Sequence, residues 1–500
     1  MLVLEKLAAW AATDRCAIRY GEQSLRYDEL ERASNAFARY LLEALGDDRT
    51  PVLIYGHKQL AIPACMFGAL KAGRGYVPVD TSFPPERVHQ ILEELRPRLI
   101  VDFTGLLCGA DNLLDAAALE EILARKAEPV DRSFWLRGGQ TAYILFTSGS
   151  TGRPKGVSIS ADNIAAFLEG VAPWFGEGHE GEIFLNEISY SFDVSVCALH
   201  YALSRGMTLY TIDKATLDDP KRLFAALERS HIGFWVSTPS LAELCVRSER
   251  FCDTLLPEAR RFVFCGEVLT KKLAREMLSR FPAAKLLNAY GPTEATVLVT
   301  AAEITAEELA HWESVPIGYA FSNVCARIAD EQGAPLPDGE PGELLLIGPS
   351  VSPGYFQRPE LNEKAFFTDK SSGERGYHTG DLCYARRGLI FYCGRLDNQV
   401  KLNGFRVELE DVENNLARLE NVARAAVLPV YTDGKVSSLA AFVLLQEPDG
   451  LSSLKRTQKL RAALASVLPS YMVPRRIIAL DAFPTNTNGK IDRKALAALL

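Results

Sequence analysis

Residues 51–80 read PVLIYGHKQLAIPACMFGALKAGRGYVPVD. VLIY at 52–55 is an apolar run of strand length. Ile62, Cys65, Met66, Ala69 and Leu70 then recur at three- and four-residue spacing, which is one face of a helix. Gly73 ends that helix and YVPV at 76–79 supplies a second strand. Strand, helix, strand within thirty residues is the unit that builds a parallel sheet covered by helices. The same rhythm returns at 231–245 (HIGFWVSTPSLAELC), at 262–280 and at 285–290, so the fold class is α/β. From about 325 to 395 short apolar runs such as LLLI (344–347) alternate with turns such as GAPLPDGEPGE, which predicts hairpins and a small β-rich subdomain. No internal repeat of fixed period interrupts this order.

Five hundred residues exceed one ordinary core, so two or more domains are expected. The composition is that of a globular protein, 48% hydrophobic and 24% charged. A net charge of −8 argues against nucleic acid as the main partner. No apolar run reaches the roughly 18 residues that span a bilayer, so no membrane insertion is expected. The opening MLVLEKLAAWAATDR carries Glu5 and Lys6 among its apolar residues, which fits an amphipathic helix better than a secretory signal. The ten cysteines form no C-x-x-C pair and no ligand-spaced group with histidine. Reduced thiols in a cytoplasmic protein are the expectation, without a zinc site.

Charge is unevenly spread. Residues 455–500 hold nine Lys or Arg against two Asp, a local +7 that leaves −15 for the remainder. This basic end reads either as a solvated helix face or as a surface that meets an anion, the nucleotide or an acidic protein.

The stretch FTSGSTGRPKGVS at 146–158 follows the apolar run YILF. Its glycines let backbone wrap a ligand closely, its hydroxyls donate, and Lys155 adds positive charge, so a polyphosphate is the natural guest. It is not G-x-x-x-x-G-K-[ST]: counting from Gly149, the position before the lysine is Pro154.

Four further motifs follow in order: NAYGPTEAT (288–296), YHTGD (377–381), YCGRLDNQVKLNGFRVELEDVE (392–413) and PTNTNGKIDRK (484–494). With the loop they span essentially the whole chain, which on them resembles the adenylate-forming enzymes, the superfamily of amino-acid adenylation domains and acyl-CoA synthetases. The resemblance implies a large N-terminal domain, 1–396, of stacked α/β subdomains plus the β-rich subdomain. A small mobile α+β lid, 397–500, would follow. It also implies two half-reactions, in which a carboxylate attacks the α-phosphate of ATP and a thiol then displaces AMP. Positioning and charge stabilisation dominate such chemistry.

By the same resemblance Thr147 and Ser148 hold the phosphates. Asn288, Ala289, Tyr290, Gly291, Pro292 and Thr293 line the adenine and α-phosphate, and Glu294 contacts Mg²⁺. Asp381 takes the ribose hydroxyls, with Tyr392, Cys393, Gly394 and Arg395 completing the ATP site. Close relatives usually carry Arg where His378 stands. Lys490 is the expected catalytic residue, bridging the substrate carboxylate and the α-phosphate. Asp397 is the expected hinge, about which the lid would exchange Lys490 for the Gly404 loop (KLNGFR). Read alone, Thr147 and Ser148 sit in a Ser/Gly surface loop, Lys490 in a basic tail, and Asp397 begins a turn.

Asp193 in SFDVS matches the aspartate that pairs with an α-ammonium; its bland reading is a cap for the following helix. A buried carboxylate without an ammonium would be costly, so an amino acid is favoured over a fatty acid or acetate. FLNEISYSFDVSV (184–196), WVSTPSLAELC (235–245) and FVFCGEVL (262–269) resemble family members that load D-alanine onto a separate carrier for teichoic-acid D-alanylation. Cys265 in FVFCGE would narrow the pocket beside Cα and reject one enantiomer, unless it is simply core. Val297 would close the pocket around a methyl group. No phosphopantetheine-carrying domain follows Lys494, so a separate, acidic phosphopantetheinylated carrier is expected. Two other readings stand beside this one: an adenylation enzyme for another small amino acid, and a non-catalytic nucleotide-binding or carrier-docking protein.

Overall fold

Val52–Tyr55 and Tyr76–Val79 are parallel strands in register Val52 to Tyr76, joined by helix Ile62–Lys71. The predicted stripe is inside, and so is every other residue of this helix, which is buried on all sides. The computed structural model describes residues 2–107, 112–149, 152–176, 178, 181–402, 404–432, 435–484 and 491–500.

The chain divides into two units. One comprises residues 1–80, 97–145 and 156–394, the other residues 81–96, 146–155 and 395–500.

Two large sheets organise the first unit. Among the described residues one has seven strands, in the order Gly354–Tyr355, Lys155–Ser160, Thr141–Thr147, Tyr76–Val79, Val52–Tyr55, Ile100–Asp102 and Leu113–Asp115. The other has nine. Its six central strands run parallel: Cys16–Tyr20, Thr208–Thr211, Ile183–Asn186, Ile232–Ser237, Arg261–Phe264 and Lys285–Tyr290. Antiparallel strands close both edges. Burial on both faces is why these central strands read as continuous runs such as FWV and FVF. Helix Leu2–Trp10 buries Val3, Leu4 and Leu7, as its amphipathic pattern predicts.

The β-rich segment is a five-stranded sheet built on Cys325–Ala329, Gly342–Ile347, Arg375–Arg386 and Phe366–Thr368, with Leu389–Arg395 paired to the long fourth-quarter strand Arg375–Arg386. The second unit is α+β. Hairpin Gln399–Leu402/Phe405–Glu408 leads into helix Leu409–Ala417, and a three-stranded sheet of Val422–Thr432, Lys435–Leu445 and Arg476–Leu480 carries helix Ser453–Ala465. Val407, Leu409, Val412, Leu416, Val427 and Val443 form part of its apolar core. Among the described residues no helix is long and apolar enough to cross a membrane.

Candidate active site

In open parallel sheets, ligand sites form beyond the carboxyl ends of the strands, where backbone leaves the ladder and side chains converge. Here those ends carry the sequence motifs. Ile183–Asn186 runs on to Asp193, Arg261–Phe264 to Cys265, and Lys285–Tyr290 to the turn Gly291–Leu298.

That turn is strained, and its sequence explains how. Val297 has φ of +73° and Thr296 of +61°, both in the left-handed region that β-branched residues avoid. The Leu298 N–H bonds the Thr296 carbonyl at 2.9 Å, closing a γ-turn of positive φ around Val297, a rare form. The loop thereby folds back on Gly291, where a Cβ would lie 2.4 Å from the Val297 carbonyl oxygen. Only glycine fits. The Thr296 hydroxyl anchors the turn on the Ser350 carbonyl at 2.6 Å, and Val297 is buried. Such strain persists where surrounding contacts over-determine it, commonly at ligand sites.

The same turn ties the other candidates together. Thr293 donates from Oγ1 to Asp193 Oδ2 at 2.7 Å. Tyr290 donates its hydroxyl to Asp381 Oδ2, and Asp381 is 2% exposed. Asn288 donates from Nδ2 to the Pro316 carbonyl at 2.7 Å, which fixes its amide, while its buried Oδ1 has no partner among the described residues. Glu294 is fully buried, and its Oε1 accepts the Tyr355 hydroxyl at 2.8 Å. Ala289 and Pro292 contribute backbone to this run, Ala289 from inside the strand.

Cys265 is buried at the end of its strand, its N–H on the Ser237 carbonyl at 3.2 Å. Two residues that sequence reasoning missed lie beside these. Burial, with Cys265 and Asp193 nearby, pushes the Cys197 thiol well above its usual range. The Tyr143 phenol is pushed up by burial and by Tyr76, Asp193 and Cys197 in turn, and its buried hydroxyl has no partner among the described residues. Cys197 stands in a widened π-helical turn, Cys197–Ala202, a local geometry frequent at functional sites. Neither residue carries a motif; only the four-residue step from Asp193, in the turn before the helical segment, to Cys197 was there to be read.

His378 now has an account. Its Nδ1 lies 3.0 Å from Glu343 Oε2, and the other carboxylate oxygen accepts the Gly380 N–H at 2.9 Å. Glu343 thus clamps the irregular stretch of strand Arg375–Arg386 that delivers Asp381. Tyr392 and Cys393 lie on strand Leu389–Arg395, Cys393 exposed, and Gly394 has φ of +143°.

In the second unit, Ser148 donates to the Arg406 carbonyl at 2.9 Å and accepts the Glu408 N–H at 3.2 Å. Thr147 Oγ1 lies 3.4 Å from the Lys155 carbonyl oxygen. Lys155 stands 3.6 Å from Glu408, so a carboxylate meets the positive charge that the loop offers a phosphate. Gly149 is required, since a Cβ there would come within 2.3 Å of the Arg153 carbonyl oxygen. Arg395 forms two bonds to Asp397, Nε to Oδ1 at 2.5 Å and Nη2 to Oδ2 at 2.6 Å. Burial raises the Asp397 pKa, but those bonds and the Arg395 charge hold it below the usual range overall. The predicted nucleotide contact and the predicted hinge are therefore partners here. Lys490 lies outside the described residues.

Chemically, the first unit brings together the Asp193 carboxylate, small buried thiols beside it, an amide oxygen with no partner among the described residues, and two further buried carboxylates. Among the described residues no group of three His, Cys, Asp or Glu could hold a metal ion by itself.

The AMP-binding enzyme family matches residues 5–356, and the AMP-binding enzyme C-terminal domain matches residues 411–490. A D-alanine–D-alanyl carrier protein ligase of Bacillus cereus (strain B4264) is 40% identical over 99% of both chains. Another, from Bacillus velezensis, is 42% identical over 96% of this chain and 95% of its own. The crystal structure of the Vibrio cholerae adenylation domain AlmE in complex with glycyl-adenosine-5'-phosphate is 25% identical. It covers all of this chain and 96% of its own at a TM-score of 0.84. The chain belongs to the AMP-binding enzymes and, among them, to the family of the D-alanine–D-alanyl carrier protein ligases.

Proposed function

We propose that this protein activates D-alanine with ATP and passes the D-alanyl group to a separate carrier protein for D-alanylation of teichoic acid. In the first step a substrate carboxylate oxygen attacks the α-phosphorus, and pyrophosphate leaves with the bridging oxygen. In the second, the carrier's phosphopantetheine sulfur attacks the acyl carbon and AMP leaves. The observation that carries the reading is the hydrogen bond from Thr293 to Asp193, because it couples an ammonium-pairing carboxylate to the turn assigned to the nucleotide.

Asp193 holds the substrate ammonium, while Cys265 and Val297 bound the space for one methyl group. The unpaired Asn288 Oδ1 suits the exocyclic amine of adenine, a donor for which this buried acceptor otherwise has no match. Asp381 accepts the ribose hydroxyls, with Tyr290 turning from it towards the base. Thr147 and Ser148 exchange their present hydrogen bonds for phosphate oxygens, and Arg395 likewise releases Asp397. Lys490 neutralises charge as the pentacoordinate phosphorus forms.

A magnesium ion fits the donor set in one way. Glu294 brings a carboxylate, a hard oxygen donor, one oxygen of which accepts the Tyr355 hydroxyl. With a single carboxylate the remaining ligands would come from phosphates and water. When bound, the ion would offset phosphate charge.

The carrier is acidic and phosphopantetheinylated in this reading. Lys455, Lys459 and Arg461 lie exposed on helix Ser453–Ala465 and supply the complementary charge. The free thiols and the need for ATP suit the cytoplasm.

ATP–pyrophosphate exchange with D-alanine, L-alanine, glycine and acetate tests the reading. Exchange strongest with D-alanine is expected. A stronger signal from another acid would overturn the substrate, and silence with all four would overturn the activity.

A further inference from the structure

Lys58 carries an ammonium at 2% exposure, in the loop between Val52–Tyr55 and helix Ile62–Lys71. Its Nζ donates to Asn186 Oδ1 at 2.9 Å and to the Ile188 carbonyl at 2.6 Å, and sits 4.1 Å from the centre of the Tyr190 ring. Two oxygens and a ring face account for the three donors of an ammonium. Asn186 in turn donates to the Tyr190 hydroxyl at 3.1 Å and to Thr211 at 3.0 Å.

Neighbouring residues of the same sheet grip the same segment. Asp80, directly after Tyr76–Val79, accepts the Ser189 hydroxyl at 2.5 Å and pairs with His57 Nδ1 at 2.7 Å. The Ser191 hydroxyl reaches the Pro78 carbonyl at 3.1 Å. Residues 186–191 are thus held by the strand ends of the seven-stranded sheet, although they emerge from the nine-stranded one. Two residues later the chain reaches Asp193.

Burying an ammonium is expensive, and an apolar side chain of similar volume would often give equal or greater stability. Burial pushes Lys58 down and the adjacent Glu187 up, while each charge partly offsets the other. What an ammonium provides and a methionine does not is direction: it fixes two oxygens and a ring at set places around one point.

We propose that Lys58 is a positioning residue for the amino-acid site, fastening segment 186–190 so that Asp193 meets the substrate ammonium. The inference rests on the role given above to Asp193. It concerns the path of the segment, and Lys58 itself touches no substrate.

The test uses the full-length chain with Lys58→Met, and with Lys58→Met combined with Glu187→Gln so that no carboxylate is stranded. In ATP–pyrophosphate exchange the double variant raises KM for the amino acid about tenfold and leaves KM for ATP within about twofold. Amide hydrogen exchange, which needs no activity, speeds up across residues 187–193 and stays unchanged across Arg261–Phe264 and Lys285–Tyr290. Unaltered exchange across 187–193 in the folded double variant would overturn the proposal, as would equal rises in both KM values. Silence of the wild type with every acid would instead strike the proposed activity, and amide exchange would still decide the role of Lys58.

Discussion

Asp193→Asn is the perturbation that bears most directly on substrate choice. The replacement is nearly isosteric, and its amide oxygen can still accept the Thr293 hydroxyl now bonded at 2.7 Å, so the turn keeps its anchor. Only the charge is lost. Removing one partner of a buried ion pair costs about 3–5 kcal/mol, and the lower end applies because Asp193 is half-buried. At about 1.36 kcal/mol per decade, kcat/KM for D-alanine falls roughly a hundredfold. Propionate, which has the same carbon skeleton without the ammonium, loses nothing and gains from the absence of an uncompensated carboxylate. The ratio of kcat/KM for D-alanine over propionate therefore collapses by at least about a hundredfold, while KM for ATP stays within about twofold. Pyrophosphate exchange with each acid titrated at saturating ATP reads both numbers. A ratio that moves by less than about threefold would show that Asp193 does not pair with the ammonium.

Three other outcomes are expected. Cys265→Ala raises L-alanine activation with little change for D-alanine; an unmoved L/D ratio of kcat/KM would remove Cys265 as the stereochemical filter. Lys490→Ala abolishes adenylate formation but spares transfer from pre-made D-alanyl-adenylate, and equal loss in both steps would contradict its assignment. The His200 ring is fully buried with Nε2 on the Tyr76 hydroxyl, and burial holds its pKa down to about 3. Between about pH 6.5 and 3 the unfolded chain binds a proton that the native ring refuses, so this share of stability is complete above about 6.5 and falls with pH. By about pH 4.5 the wild type has lost about 3 kcal/mol through this residue, and His200→Leu flattens that slope in urea melts at the two pH values. An identical slope in the variant would mean that His200 titrates normally.

Much of the fold could be read from the chain because its parts are local. Strand-length runs and a helical stripe in 51–80 follow from backbone periodicity, and the observed strands and helix lie where that pattern puts them. In the run NAYGPTEATV the structure adds what periodicity does not state, that a glycine is needed where Val297 folds back upon it. Asp193, Cys265 and Val297 are singled out by resemblance to the adenylate-forming enzymes, and the structure then places each after a strand end or in a turn.

What tertiary structure alone decided are the partners across long separations. Lys58 and Asn186 stand 128 positions apart, and Ser148 lies 258 from Arg406. Tyr143 and Cys197 meet Asp193 from different elements. No periodicity announces such meetings, because side-chain patterns report which face of an element is buried and not which distant element covers it. A lysine in a loop reads as solvated surface. Lys58 is buried only because the strand ends of two different sheets come together around it, and its desolvated amino group then needs the hydrogen bonds that segment 186–190 supplies.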